Sequence, residues 1–336
     1  RAVLNGLFEV ISLEEAGIAA GELAAIAFYD KPLQKFERLL ETYYGLAPKG
    51  LQSFLMSMPV WIREKLFLKK LMRDELESAI GLKKEKIKFL FPEHHLSHAA
   101  SAFYPSRFRE SAILTVDGVG EWATSSLCHG DGKNIRVISE LHFPHSVGLL
   151  YSAFTYYAGF KVNSGEYKLM GLAPYGNAHS SRTKKFYDLI RSELIDIKPD
   201  GSVWLNQHYF DYATGLKMTE NSKWEKLFGI PVRKSESELS QEYCDMALAI
   251  QQITEDIVLK MAKHVREVTG SKNLCMAGGV ALNCVANGKI LREKFFENIY
   301  IQPAAGDAGG ALGAALAAHH IYFGAERKVP EGYDGM

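Results

Sequence analysis

The chain has 336 residues, of which 47% are hydrophobic and 23% charged, and its formal net charge at pH 7 is zero. This length exceeds one ordinary compact domain and suits two. A neutral charge balance gives no support for a nucleic acid or a membrane as a partner. No apolar run approaches the roughly 18 residues of a membrane span, and no signal peptide is visible. We therefore expect a cytoplasmic protein.

The cysteines are few and lie far apart: Cys128, Cys244, Cys275 and Cys284. They form no C-x-x-C pair, which argues against a cysteine-based zinc site. Four thiols in a chain of this length also do not suggest a disulfide scaffold.

Helical and extended patterns alternate in the first hundred residues. Helical periodicity occurs at 12–16, 35–46 and 59–80, and the last of these ranges predicts one or two amphipathic helices. Short apolar runs at 24–28 and 87–91 predict strands.

The pattern changes near residue 110. Apolar and β-branched runs at 112–116, 124–129 and 135–141, joined by tight turns, predict a three-stranded meander. Residues 178–238 are polar and less regular, with scattered aromatic side chains. We interpret them as an insertion that forms a lid or faces a substrate.

Strands and helices alternate toward the C-terminus. The predicted order is helix 243–268, strand 273–277, helix 281–294, strand 299–301, a glycine-rich loop at 304–310 and helix 311–321. This alternation predicts an α/β sheet with right-handed crossovers.

Two histidines have the spacing of neighbours on one helix face. His94 and His98 are four residues apart, so on a helix their imidazoles lie one turn apart and can share a metal ion. Taken alone, a helix start with polar residues near a turn is an equally good interpretation. His95 would point elsewhere on the helix and is not predicted to be a ligand.

Asp117 ends a predicted apolar strand and precedes a turn with two glycines, Gly118 and Gly120. A carboxylate at this position is well placed for a metal. The glycines let backbone N–H groups approach an anion such as phosphate closely. An ordinary β-turn is the alternative.

A second glycine-rich turn contains Gly278, Gly279 and Asn283, where a predicted strand leads into a helix. The glycines permit close approach of a nucleotide, and the helix N-terminus favours its phosphates. Tight helix–strand packing is the alternative.

A third turn of this kind contains Gly306, Asp307, Gly309 and Gly310. Asp307 is the only charged residue among residues 304–318. A carboxylate in such surroundings needs a ligand or a partner, and an N-cap role would also satisfy it.

The stretch 165–176 carries weaker signals. Gly165, Glu166 and Lys168 are candidate nucleotide contacts, with Lys168 suited to a phosphate or carbonyl and Glu166 suited to ribose hydroxyls. A loop with an exposed ion pair is an equally good interpretation.

Together these residues predict a metal beside a nucleotide. Two imidazoles with one or two carboxylates suit a divalent transition metal with open positions, and Fe²⁺, Zn²⁺ and Mn²⁺ are all compatible. A metal beside a phosphate can neutralise developing charge and polarise a carbonyl.

The chain resembles the O-carbamoyltransferases of the nodulation and antibiotic-tailoring type over about residues 12–325. The resemblance is carried by the stretches 94–103, 117–122, 165–176, 278–283 and 306–313, which occur in the family's order. Proteins that transfer threonylcarbamoyl to tRNA are related and share the two-histidine pattern.

The resemblance implies an α/β fold of the superfamily of actin, sugar kinases and heat-shock chaperone ATPases, with two ribonuclease-H-like subdomains around a nucleotide cleft. We expect the first subdomain at 1–110, with incomplete N-terminal strands, and the second at 111–336. In the family a YrdC-like C-terminal domain makes carbamoyl adenylate from ATP and carbamoyl phosphate. We expect that this domain, and the start of the first hairpin, are missing from the chain.

The resemblance also implies a site and an activity. The family's iron ligands map to His94, His98, Asp117 and Asp307, which makes Fe²⁺ the favoured metal and these residues the expected catalytic set. The domain would bind carbamoyl adenylate and pass the carbamoyl group to a hydroxyl of a small molecule. By itself the chain is expected to bind metal and nucleotide without completing turnover, and a homodimer is left open.

Two other functions remain as alternatives. A sugar-kinase-like phosphotransferase would use a magnesium–ATP site without paired imidazoles. A non-catalytic nucleotide-binding switch would close on a nucleotide without forming a carbamoylated product.

Overall fold

A computed structural model of the protein describes residues 14–80 and 88–329. Two short parallel strands, β1 (Ile26–Ala27) and β2 (Phe89–Leu90), pair near the N-terminus. Between them lie three helices, α1 (Pro32–Leu46), α2 (Leu51–Trp61) and α3 (Leu68–Ile80). The strands predicted at 24–28 and 87–91 are confirmed in shorter form, and part of the helix predicted at 12–16 lies outside the described residues.

The helical region predicted at 59–80 is two helices, and its predicted start is wrong. Pro59 lies inside α2, which begins at Leu51, and a π-helical turn at Ile62–Leu66 separates α2 from α3. A proline is usually found at the first turn of a helix, so Pro59 gave a misleading start signal.

The remaining elements follow in chain order. They are α4 (His94–Phe103), β3 (Glu110–Val116), β4 (Ala123–Asp131), β5 (Asn134–His142), α5 (Val147–Tyr157), α6 (Glu166–Leu172), α7 (Ser181–Leu189), β6 (Ile195–Ile197), β7 (Val203–Leu205), α8 (Asn221–Phe228), α9 (Gln241–Thr269), β8 (Asn273–Ala277), α10 (Cys284–Glu293), β9 (Asn298–Ile301) and α11 (Asp307–Ala317). Within the described ranges, no helix combines the length and apolar character that crossing a membrane requires.

A five-stranded mixed sheet with the order β5-β4-β3-β8-β9 forms the centre of the molecule. The meander β3-β4-β5 is antiparallel, whereas β3, β8 and β9 run parallel. Parallel neighbours need crossover connections, and α10 supplies the one between β8 and β9. The predicted meander, the strands at 273–277 and 299–301 and the α/β class are confirmed.

Strand β3 is buried on both faces of the sheet. Ala112, Leu114 and Val116 belong to the core shared with α5 and α9, whereas Ile113 packs in the smaller core with α4. Burial on both faces explains why this strand is a continuous apolar run instead of an alternating one. It also places the C-terminal end of β3 between layers of helices.

Helices α4 and α11 lie in close contact beside the sheet. A Cβ added at Gly313 in α11 would overlap with the carbonyl of Ser97 in α4, so this approach requires glycine. Helix α11 begins at Asp307, four residues earlier than predicted, so the expected loop at 304–310 is only partly a loop. The contact brings the N-terminal ends of the two helices together.

The segment 178–238 is more ordered than its sequence indicated. It contains α7, α8 and the antiparallel hairpin β6–β7. Trp224 and Phe228 of α8 are buried against Phe154 and Tyr157 of α5. The prediction of irregular structure is therefore wrong for these elements, and the role of the segment as a lid or insertion stays a prediction.

Candidate metal and nucleotide site

Four predicted metal-binding side chains converge at one end of the sheet. His94 and His98 occupy successive turns at the start of α4, Asp117 follows the end of β3, and Asp307 is the first residue of α11. Each offers one ligand atom, and these atoms all lie within 4.8 Å of one another. Three separate elements therefore meet at a point that could hold one ion.

The contacts within this histidine–aspartate cluster are short. The two Nε2 atoms of His94 and His98 lie 3.1 Å apart. Asp117 Oδ2 is 2.9 Å from His94 Nε2 and 3.5 Å from His98 Nε2. Asp307 Oδ1 is 3.5 Å from His94 Nε2 and 3.6 Å from His98 Nε2.

The separations of 2.9–3.6 Å between the histidine nitrogens and the carboxylate oxygens fit a bound divalent transition metal. Two atoms that each lie about 2.1 Å from one ion can be at most about 4.2 Å apart. The donor set of two imidazoles and two carboxylates is one that Fe²⁺, Zn²⁺ and Mn²⁺ all accept. The side chains of both histidines are 1% exposed, whereas that of Asp307 is 59% exposed, so the cluster is open to solvent on the Asp307 side.

The electrostatics of the cluster favour charged forms despite burial. Burial disfavours the protonated form of the His94 imidazole, but hydrogen bonds with Asp117 and Asp30 outweigh this effect and raise the pKa of His94 to about 9. The pKa of His98 is raised in the same way against burial, mainly by Asp117 and Asp307. Burial would raise the pKa of Asp117, but the two histidines hold it well below its usual range. Without an ion, protons on the histidines balance the carboxylates.

His95 lies outside the cluster, as predicted. Its Nδ1 is 2.8 Å from the Thr115 hydroxyl and 2.9 Å from that of Ser126. Burial is the main cause that lowers its pKa to about 3, so it is neutral at pH 7.

Glu121 and Arg38 were not predicted to be site residues, because no pattern in the sequence indicated a role for them. The Glu121 carboxylate accepts the backbone N–H groups of Lys31 at 2.7 Å and of His94 at 3.0 Å. The Arg38 guanidinium donates to the Gly120 carbonyl at 2.9 Å. These contacts tie α1, α4 and the turn after Asp117 together.

The turn at Gly278 and Gly279 contacts the cluster directly. Gly278 has a φ of 92°, and a Cβ there would overlap with the Val116 carbonyl, so the position requires glycine. The N–H of Gly279 donates to Asp117 Oδ1 at 2.9 Å. This bond leaves Oδ2 of Asp117 directed at the histidines.

Several other predicted glycines are also tightly packed by protein atoms. A Cβ at Gly120 would lie 2.9 Å from the Cβ of His94, and one at Gly310 would lie 2.8 Å from the Tyr29 ring. A Cβ at Gly309 would overlap with a backbone carbonyl. The packing interpretation explains these glycines without a ligand.

Gly118 and Gly306 have open space instead. The nearest described atom to an added Cβ lies 4.0 Å away at Gly118 and 3.8 Å away at Gly306, and both belong to leucine side chains. Among the glycines of these turns, these two leave the most room for a ligand beside the backbone.

The side chain of Asn283 is engaged within the protein. Its Oδ1 accepts the N–H of Ala286 at 3.1 Å, which caps α10, and its amide exchanges two hydrogen bonds of 3.0 Å with Gln251. A nucleotide contact at this position would have to use the backbone.

Glu166 is also occupied by local contacts. Its carboxylate accepts from the Ser152 hydroxyl at 2.8 Å and from the N–H groups of Asn163 at 3.0 Å and Gly165 at 3.1 Å. Lys168, two residues further along α6, is exposed. The structure thus gives Glu166 a structural role and leaves Lys168 free to face solvent or a ligand.

The chain belongs to the carbamoyltransferase N-terminus family, whose model matches residues 9–316. It is 58% identical over 318 residues to an uncharacterized protein of Synechocystis, covering 94% of this chain and 51% of that protein. It is 37% identical over 309 residues to the nodulation protein NolNO of Sinorhizobium fredii, covering 90% of this chain and 40% of that protein. The chain spans about half of these relatives or less, and the resemblance expected from the motifs is confirmed.

Solved structures with a similar arrangement include HypF in a phosphate- and nucleotide-bound form, with a TM-score of 0.37 and 15% identity over 73% of this chain and 44% of that one. A ROK family glucokinase from Streptomyces griseus, in complex with glucose and AMPPNP, has a TM-score of 0.28 and 10% identity over 73% of this chain and 71% of that one.

Proposed function

We propose that this chain is the transfer domain of an O-carbamoyltransferase, which binds carbamoyl adenylate and a divalent metal and passes the carbamoyl group to a small-molecule hydroxyl. Membership of the carbamoyltransferase N-terminus family supports the reaction class. The observation that carries the proposal for the site is the convergence of His94, His98, Asp117 and Asp307 within 4.8 Å.

The cluster residues would hold the metal, with Fe²⁺ favoured and Zn²⁺ or Mn²⁺ as alternatives. A divalent ion in this place supplies positive charge for phosphate oxygens and polarises a carbonyl. Gly279 fixes Asp117 through its N–H, so that Oδ2 faces the histidines. The exposed side at Asp307 is where a substrate would enter.

The adenylate would lie along the open glycine positions. Gly118 and Gly306 border the cluster and have room for phosphate oxygens beside the backbone. The N-terminus of α11, which begins at Asp307, adds favourable dipole potential for an anion. Lys168 is a further candidate for a phosphate contact because it is exposed.

The proposed reaction is acyl-type transfer. The acceptor oxygen forms a bond to the carbamoyl carbon, the bond from that carbon to the phosphate oxygen breaks, and AMP leaves while the hydroxyl loses its proton. Carbamoyl phosphate and ATP would be the source of the adenylate. Neither a nucleic acid nor a membrane is expected as a partner, and a cytoplasmic location belongs to the same proposal.

The paired imidazoles favour this function over a sugar-kinase-like phosphotransferase. Mg²⁺ is bound mainly through oxygen ligands and retained water, and a site with two imidazole donors 3.1 Å apart does not suit it. A nucleotide-binding switch would not need the donors to converge at all.

The test uses the full protein, supplied with ATP, carbamoyl phosphate and a panel of candidate alcohols. We expect the wild type to hold one transition metal and to form a carbamoylated product, and His98→Ala to lose both. His129→Ala is the matched control, because this histidine pairs with Glu110 at 2.6 Å outside the cluster. Stoichiometric metal in His98→Ala would contradict the ligand assignment, and the absence of product across the panel would contradict the transferase.

A further inference from the structure

A buried carboxylate lies behind His94, on the side away from the other cluster donors. Asp30 follows β1 and precedes α1, and its side chain is 6% exposed. Its Oδ1 is 2.7 Å from His94 Nδ1, while His94 Nε2 faces Asp117. The two ring nitrogens of His94 thus serve two different carboxylates.

We propose that Asp30 is a positioning residue that sets the orientation and tautomer of His94 for metal binding. A neutral imidazole carries its proton on one nitrogen and presents a lone pair on the other. By accepting from Nδ1–H, Asp30 leaves the lone pair on Nε2, which is the nitrogen directed at His98, Asp117 and Asp307. The inference rests on the metal-binding part of the proposed function.

Asp30 is itself held in place by a cation. Lys35, one turn into α1, lies 2.7 Å from the same Oδ1, and its side chain is 14% exposed. A carboxylate that is paired with an ammonium group in this way acts only as an acceptor toward the His94 ring.

The backbone around Asp30 and His94 is tied together by a single side chain. Glu121 accepts the N–H of Lys31, the residue after Asp30, at 2.7 Å, and the N–H of His94 at 3.0 Å. The hydrogen bond between Asp30 and His94 holds the two side chains together, and Glu121 holds the backbone segments that carry them. Such support from the surrounding residues is what keeps a ligand in a productive geometry.

The support is not symmetrical between the two histidines. Among the residues that the structure describes, His98 Nδ1 is buried without a hydrogen-bond partner. Asp30 therefore acts on one ligand of the pair, which makes His94 the pre-oriented ligand and His98 the less constrained one.

The first test measures the affinity of the full-length, metal-depleted protein for Co²⁺ by competition with a chelating dye. Asp30→Asn keeps the size of the side chain but removes the charge, and its amide can donate to Nδ1 and favour the wrong tautomer. We expect its Kd for Co²⁺ to rise about 10- to 100-fold, with a changed visible spectrum of the bound ion. An unchanged Kd and spectrum in a folded variant would overturn the inference.

Asp245→Asn is the matched control. Asp245 is also a buried, ion-paired carboxylate, with its side chain 0% exposed and 2.8 Å from Arg182 Nε, but it lies in α9 and also accepts the N–H of Asn177. We expect it to change the Kd for Co²⁺ by no more than about twofold. An equal loss of affinity in both variants would indicate a general effect of removing a buried charge and would overturn the specific role of Asp30.

The second test needs no variant and therefore holds even where Asp30→Asn fails to fold. NMR of the wild-type protein, labelled with ¹⁵N-histidine and loaded with Zn²⁺, reports which ring nitrogen carries the proton. We expect Nδ1–H and a metal-bound Nε2 for His94. The opposite tautomer in a zinc-loaded protein overturns the positioning role alone, whereas failure of the wild type to bind Zn²⁺ or Co²⁺ would contradict the metal site itself.

Discussion

Metal binding is expected to tighten steeply between pH 7 and pH 9, because protons compete with the ion for His94 Nε2. Hydrogen bonds with Asp117 and Asp30 outweigh burial and raise the pKa of His94 to about 9 in the metal-free protein. A group with this pKa is about 99% protonated at pH 7, so the apparent Kd should fall about tenfold for each pH unit up to about pH 9. The raised pKa of His98 adds to this slope.

The assay is a Co²⁺ titration against a competing chelator at several pH values, with circular dichroism to show that the metal-free protein stays folded. Titration calorimetry in two buffers of different protonation enthalpy should also show the release of at least about one proton per ion at pH 7. A Kd that is constant from pH 7 to pH 9, or binding without proton release, would refute the reasoning.

The same shift predicts the pH dependence of the metal-free protein's stability. The folded pKa of His94 lies above the ordinary value of 6.5, so its contribution is fully present below about pH 6.5. The contribution is lost as the pH rises through about 9. The melting temperature of the metal-free protein should therefore fall over this range, and a rise would contradict the direction of the shift.

Four substitutions separate packing from ligand roles. Gly313→Ala should lower the free energy of unfolding in a urea titration by about 1–3 kcal/mol, because its Cβ would overlap with the Ser97 carbonyl. Gly288→Ala is the control, since this glycine is also in a helix but an added Cβ would have its nearest neighbour 3.6 Å away. In the same titration it should be neutral or stabilise the protein by up to about 1 kcal/mol. Asp307→Asn should weaken metal binding while changing the melting temperature of the metal-free protein little, since this side chain is 59% exposed; an unchanged metal Kd would exclude it as a ligand. Asn283→Ala should lower the free energy of unfolding in urea by about 1 kcal/mol or more, because the cap of α10 is lost. A variant that loses nucleotide binding but keeps its stability would contradict the structural role of Asn283.

The parts of the fold and site that the sequence predicted depend on local patterns. The buried run of β3 and the four-residue spacing of His94 and His98 have direct structural consequences, and both are found where expected. Asp117 and Asp307 were identifiable because each carboxylate lies in a glycine-rich turn after a predicted strand. Their convergence with the histidines, however, depends on the contact between α4 and α11 and on the order of the sheet.

Asp30 could not have been identified from the sequence in this way. It precedes Lys31 and Pro32, where an aspartate at the start of a helix needs no further explanation. Its role arises from a contact with His94, 64 residues later, and from the placement of Lys35 one helical turn away. Neither contact leaves a periodic or spacing signal, so only the tertiary structure shows them.

Buried aromatic residues explain the main error about secondary structure. The polar composition of 178–238 suggested irregular backbone, but Trp224 is fully buried against Phe154 and Tyr157. A few large side chains anchor α8 although most of its residues are polar, because burying one aromatic ring contributes more than several exposed polar contacts. Composition averaged over the segment hides this contribution.

The most direct test of the central claim is anomalous X-ray diffraction at the absorption edge of the metal, from crystals of the protein loaded with Fe²⁺ or Co²⁺. We expect one anomalous peak between the Nε2 atoms of His94 and His98 and the carboxylates of Asp117 and Asp307, at about 2.0–2.2 Å from each ligand atom. A peak elsewhere, or a loaded protein in which the histidines contact only each other and the carboxylates, would contradict the assignment of these residues as a metal site.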